Sequence, residues 1–186
     1  MMKKAIFMMP VLLLFIVQAT FSQKYFTRDG KIAFYSDAAL EKIEAHNNSA
    51  TSVLDMASGA MEFAVLIKGF QFEKALMQEH FNENYMESDK YPKALFKGKF
   101  DGFTAANLTK DGNYPVNVKG QLTIHGITKD VNVKGQFTVK GGALTGNASF
   151  NVLVADYGIK IPAVVKDNIA KEVRIDVNCN YQVFNK

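Results

Sequence analysis

A chain of 186 residues carries 22 Lys and Arg against 18 Asp and Glu, with 48% hydrophobic residues and one cysteine. A lone cysteine excludes an internal disulfide, so stability has to come from a hydrophobic core, which a chain of this size can bury. Without Lys3 and Lys4 the net charge falls from +4 to +2, and the other lysines are spaced along the chain rather than clustered, so no nucleic-acid partner is expected.

The chain opens with Lys3 and Lys4 and an apolar run from Ala5 to Val17 interrupted by Pro10. That is the pattern of a secretory signal peptide, and the run is too short to cross a bilayer, which takes about 20 apolar residues. Thr20 and Ser22 then stand at −3 and −1 for cleavage before Gln23, with cleavage after Gln23 the alternative. The expected organisation is a signal peptide over 1–22 and one domain over 23–186, in a secreted protein. No cysteine stands at the cut, which disfavours a lipoprotein.

From there apolar and polar residues alternate with period two, broken at Gly, Asn, Asp and Pro, as in a half-buried antiparallel sheet. Strands are expected around Lys31–Ser36 and Lys42–Asn47, followed by one that points Met61, Phe63, Val65 and Ile67 to one face. A polar Asn82-Glu83-Asn84 ends a short amphipathic helix expected over 72–81, with Phe72, Leu76, Met77 and Phe81 near helical spacing. Tyr91-Pro92 restarts extended chain, and Ala94, Phe96, Gly98 and Phe100 share the next apolar face.

Val116 to Ile124 and Val131 to Val139 form a further pair, joined tightly at His125-Gly126. Lys140-Gly141-Gly142 turns into a strand carrying Leu144, Phe150 and Val152 inward. Asp156 to Lys171 reads as a long loop, and the last strand presents Val173, Ile175, Val177, Cys179, Tyr181 and Val183. The fold class is therefore all-β in the main, about eight strands with one short helix, and closure into a barrel is preferred because it removes sheet edges. Gly98, Gly120, Gly135, Gly146 and Ala148 fall on the inferred inner face, where missing side chains are expected to leave room for a ligand.

The apolar inner face supplies the candidate binding residues: Phe34, Phe63, Phe96, Phe100, Leu122, Phe137 and Phe150. The plainer reading of each is an ordinary core residue. A concave apolar lining with few polar groups is what a long apolar ligand requires. A polar headgroup would sit at the open end, where Lys160, Lys166 or Arg174 could pair with phosphate, or none of them would if the ligand is a quinone.

No catalytic residue, cofactor or metal site is expected. The chain lacks a Gly-x-Ser-x-Gly elbow and a phosphate-cradling loop before a helix. His80 with Glu79 and Glu83 reads better as a solvated helix end than as a metal site, His125 as a residue bonded to turn backbone, and Cys179 as a buried, unreactive thiol. A metal-dependent enzyme requires His46, His80 and His125 to converge. A filled-core structural or stress-response protein acting through its outer surface is the other alternative.

Several strings then carry a resemblance: Leu76-Met77 followed by His80-Phe81, Met86-Glu87-Ser88-Asp89-Lys90-Tyr91-Pro92, and above all Leu122-Thr123-Ile124-His125-Gly126-Ile127-Thr128-Lys129. In order and spacing they resemble the YceI-like, polyisoprenoid-binding family, over Lys31 to Phe184. The resemblance implies an extended, eight-stranded antiparallel, lipocalin-like barrel closed on one side by a helix, in the periplasm of a Gram-negative bacterium. It also implies an interior that holds an isoprenoid or other long-chain lipid, in a non-catalytic carrier. Glu41 to Asp55 departs from the commoner form of the family, with Ile43-Glu44-Ala45 and Asn47 in the first hairpin, which bears on ligand identity more than on fold. Transient membrane contact is an expected partner relation, and a homodimer is one of the oligomeric states left open.

Overall fold

The structure, a computed structural model, describes residues 23–184. The segment expected to be a signal peptide, 1–22, lies outside the described residues. Nine strands follow in order: β1 (Lys24–Asp37), β2 (Lys42–Asp55), β3 (Ala60–Leu66), β4 (Gln71–Phe72), β5 (Lys93–Asp101), β6 (Gly112–Ile124), β7 (Ile127–Lys140), β8 (Ala143–Leu153) and β9 (Glu172–Val183). One short helix, α1 (Ala75–His80), runs into a wider turn of helix over Phe81–Tyr85.

Eight of these strands form an antiparallel sheet in the order β1-β9-β8-β7-β6-β5-β3-β2, and pairing of β1 with β2 closes it into a barrel. The two-residue β4 only bridges to β2, through Ala45↔Phe72 and His46↔Gln71. Closure satisfies the backbone groups that an open sheet would leave at its edges.

Two hairpins are set by two-residue loops with left-handed backbone: His125-Gly126 at φ 51° and 74°, and Gly141-Gly142 at φ 56° and 82°. Both central residues at positive φ match the right-handed twist of the flanking strands. Glycine takes that backbone readily, and His125 holds it against the usual preference.

The first hairpin is longer than expected, because β1 starts at Lys24 and β2 runs to Asp55. Its alternation is hidden for two reasons. The register shifts on either side of Gly30, and several inward positions are polar: Thr27, Asn47 and Ser52 are all buried. Asn47 is satisfied there, its Nδ2 donating to the Leu66 carbonyl at 2.9 Å and its Oδ1 accepting from Ser49 N–H at 2.9 Å.

The helix starts later than the expected 72–81, and Asn82-Glu83-Asn84, expected to end it, lies inside the wider helical turn that continues to Tyr85. Phe72 belongs to β4, and Leu76, expected on the buried face, is exposed. Asp156 to Lys171 is a connection, as expected, tightened by 3-10 turns at Val154–Tyr157 and Ala163–Val165. It is called the strap below.

Candidate functional site

The two ends of the barrel are packed differently. At one end, where β1 and β9 carry Tyr25 and Tyr181, the interior is solid: Leu54, Met61, Phe100, Phe137, Leu144 and Cys179 are all buried in one cluster. Towards the other end the inward residues Phe34, Phe63, Phe96, Val131, Phe150 and Ile175 are only half-buried, although they point away from bulk solvent. They border a cavity of about 440 Å³. That size is within the usual range for small-ligand sites, roughly 300–1,000 Å³.

Gly98, Gly120 and Gly146 do not open this space. A Cβ on Gly98 would lie 2.3 Å from the Lys119 carbonyl oxygen and 2.6 Å from Phe96 Cζ, and one on Gly120 would lie 2.5 Å from Gly98 Cα. The two glycines are register partners, so their absent side chains let β5 and β6 approach and let the Phe96 ring lie across both. At Gly146 the room is taken by the rings of Phe137 and Tyr181, at 3.0 and 3.1 Å. The expectation that missing side chains make the cavity is corrected at Gly98, Gly120 and Gly146, where backbone and aromatic rings take the place, whereas Gly135 and Ala148 do border the cavity.

Phe137, Met61, Val116 and Tyr181 form the floor. Beneath it Tyr181 Oη lies 3.0 Å from Ser52 Oγ, a buried pair of hydroxyls. Burial pushes the Cys179 thiol up to about 11 and the Tyr181 phenol well above its ordinary value, so both stay protonated and neutral at physiological pH. Cys179 is fully buried, which leaves no access for chemistry.

The mouth is covered by two segments. On one side Phe81, from the turn after α1, stacks on Phe34 with ring centres 5.4 Å apart and meets Phe72 at 5.0 Å and Phe70 at 5.8 Å. On the other side the strap crosses the barrel end. Its Ala170 N–H donates to Ser36 Oγ at 2.9 Å, and Tyr157 is buried beside Leu122 and Val152. Burial raises the Tyr157 phenol as well.

His125 fastens these pieces together. Its Nδ1 lies 3.1 Å from the Tyr157 carbonyl, which can only accept, so that nitrogen carries the hydrogen. Its Nε2 lies 2.8 Å from Glu87 Oε2, and its ring packs edge-on against Tyr91 at 4.6 Å. A Cβ on Gly126 would strike the Tyr91 ring at 2.5 Å. The two most specific strings of the sequence thus meet in space. His125 does bond backbone, but that of the strap, 32 residues away, rather than that of its own turn.

One flank of the barrel is split. The β7–β8 ladder stops at Gly135↔Ala148, whereas β6–β7 pairing continues to Ile124↔Ile127 and β8–β9 pairing to Leu153↔Glu172. Ile127 to Lys134 and Ser149 to Leu153 therefore face each other without rungs. Val131 and Phe150 fill the gap from inside together with Tyr157 and Ile159 of the strap.

Of the residues expected to bind ligand, Phe34, Phe63, Phe96, Leu122, Phe137 and Phe150 border the cavity. Phe100 does not: it is buried below the floor, edge-on to Phe137 at 5.3 Å. Sequence alternation missed Phe70, Met77, Tyr85, Tyr157, Ile159 and Ile169, which also border the cavity from the covering segments. A period-two pattern carries no information about which loop folds over a barrel end.

The expected cations fare differently. Arg174 points outward from β9, paired with Asp176 and 4.0 Å from the Tyr35 ring, so it cannot serve the mouth. Lys160 and Lys166 are exposed on the strap. Among the described residues no Lys or Arg borders the cavity; besides tyrosines, the titratable side chains that do are Glu41 and His80. Lys74 stands 3.6 Å from Glu41, and Asn168 Nδ2 donates to that carboxylate at 3.3 Å.

The three histidines lie on separate elements. His46 faces Glu44 at 2.6 Å on the outside of β2, His80 ends α1, and His125 is in the β6–β7 turn. Among the described residues no group of three His, Cys, Asp or Glu side chains is placed to hold a metal ion.

A family model described as the YceI-like domain matches residues 16–181. No curated protein matches the sequence. Among solved structures, a polyisoprenoid binding domain from Saccharophagus degradans, implicated in plant cell wall breakdown, superposes with a TM-score of 0.75 at 11% identity, over 88% of this chain and 99% of that one. BcnA from Burkholderia cenocepacia gives 0.67 at 19% identity, over 82% and 96%. The Campylobacter jejuni YCEI protein gives 0.52 at 17% identity, over 74% and 81%. At identities this low the superpositions show a shared fold alone.

Proposed function

The chain belongs to the YceI-like family, and from that premise we propose that it is a periplasmic, non-catalytic carrier that sequesters an isoprenoid or similar long-chain apolar lipid inside the barrel. The observation that carries this reading is the cavity: a blind, aromatic-lined space of about 440 Å³, floored by solid core and bordered by no Lys or Arg among the described residues. Apolar area removed from water there is worth about 25 cal/mol per Å², with no buried charge to offset it. Export by the segment at 1–22 is part of the proposal.

The same lining favours an uncharged headgroup. A phosphate lodged at the mouth would meet the Glu41 carboxylate, and Lys74, its nearest cation, is already engaged there. A polyprenol hydroxyl could instead donate to Glu41, and a polyprenol or quinone oxygen could accept from Asn168 or His80.

Native mass spectrometry with organic extraction, on protein purified from the periplasm of its own or a related host, tests the reading. One co-purifying isoprenoid per chain is the expected result. An empty protein that also refuses added polyprenyl lipids would overturn it, and would favour a protein acting through its outer surface.

A further inference from the structure

The outer rim of the mouth exposes large apolar side chains to water among its charges. Ten large hydrophobic side chains remain exposed among the described residues, and only Val53, Val183 and Phe184 lie at the solid end. The other seven cluster around the mouth end. The three most exposed, Val164 at 89%, Leu40 at 74% and Leu76 at 61%, come from three different segments.

Those segments are one connected surface. Leu40, in the β1–β2 turn, donates its N–H to the Asp167 carbonyl of the strap at 3.0 Å. Glu41 beside it holds both Asn168 of the strap and Lys74 at the start of α1. Leu40, Leu76 and Val164 therefore ring the opening, while their neighbours Met77 and Val165 turn inward to border the cavity. The apolar surface outside the mouth continues into the apolar surface within. Scattered exposed hydrophobes are ordinary, but a ring of the most exposed ones at a cavity mouth marks an interaction site.

We propose that this rim docks on the surface of a zwitterionic phospholipid bilayer, with Leu40, Leu76 and Val164 inserted at the headgroup boundary and the cavity opening onto the membrane. The proposal rests on the carrier reading for its purpose, since a long apolar chain could then pass between bilayer and cavity without crossing water. The rim's charges select the kind of membrane. Lys74, Lys160, Lys166 and Lys171 are interspersed with Glu41, Glu73, Glu79, Asp156, Asp167 and Glu172, so no net positive field draws it to anionic lipid. Attraction comes from apolar contact and is insensitive to salt.

The test is flotation of the mature protein with phosphatidylcholine vesicles, at low salt and at about 0.5 M salt, where the Debye length is only a few ångströms. Wild type floats equally at both. Leu40→Asp and Val164→Asp each weaken partitioning by about tenfold or more, as expected when one aliphatic side chain no longer leaves water. Neither residue borders the cavity, so both variants keep the wild-type circular dichroism spectrum and take up lipid from detergent solution as wild type does. Failure of wild type to bind these vesicles, or equal binding by the double variant, overturns the proposal. So does dimerisation in sedimentation equilibrium that the double variant abolishes, which would assign the rim to a second copy of the chain. Uptake from detergent is read separately, so loss of that uptake refutes the carrier and not the docking face.

Discussion

Ala148 offers a way to separate a cavity from a core by a single substitution. It stands on the last rung of the β7–β8 ladder, opposite Gly135, with its methyl group bordering the cavity. Ala148→Phe sends a ring into the space. If the space is empty in the unliganded protein, the new ring is buried without displacing protein atoms, and its transfer from water, about 1.5–3 kcal/mol at full burial, is offset only by local adjustment. Stability of the unliganded protein should hold or rise by roughly 1 kcal/mol. A bound chain loses what the ring takes: displacing one isoprene unit, with about 100 Å² of apolar surface, costs about 2.5 kcal/mol, a weakening of roughly 60-fold. Urea unfolding of delipidated protein and titration with a polyprenol read the two effects. The control is Ala50→Val, at a fully buried site where a Gly30 side chain would already crowd it, and there overpacking should cost about 1–3 kcal/mol. Loss of stability at Ala148 equal to that at Ala50, or unchanged lipid uptake, would refute the reasoning.

The remaining predictions concern strands, thiol, flank and headgroup. Gly98→Ala and Gly120→Ala should each cost roughly 2–3 kcal/mol in urea unfolding, since the added methyl meets backbone within 2.3–2.5 Å, and the double variant should cost less than their sum because the two sites touch. Cys179 is raised from 9.0 to about 11 by burial, so the native state keeps a proton that the unfolded chain releases. Its contribution is complete below about pH 9 and is lost between pH 9 and about 11, on the order of 2–3 kcal/mol. In Cys179→Ala, stability measured against pH should hold to a higher pH before Tyr181, raised in the same sense, takes over. In hydrogen exchange the β7 segment over 128–134 should exchange faster than 136–140, because only the latter has rungs on both sides; equal protection would mean that the flank is closed in solution. Polyprenol should outcompete the matching polyprenyl phosphate, and Glu41→Gln should narrow the gap; preference for the phosphate would contradict the proposed headgroup.

What the sequence determined by itself was the sheet and its inward face. Alternation over Ala94–Phe100, Val116–Ile124 and Val131–Val139 fixes which side chains share a face, because a strand's side chains alternate with a strict period of two. The Leu122–Lys129 string carried the family. Alternation failed in the first hairpin, where Asn47 and Ser52 face inward and the register shifts around Gly30. It also could not tell core from cavity. Phe100 and Phe96 follow the same pattern, yet one is packed below the floor and the other borders the cavity, because depth along the barrel depends on how eight strands stagger on closing. Tertiary structure alone decided that Gly98 and Gly120 let two strands close in rather than leave room, that Arg174 faces outward, and that His125 ties the strap to the segment after α1. Each depends on contacts between residues far apart in the chain, and local periodicity does not encode those.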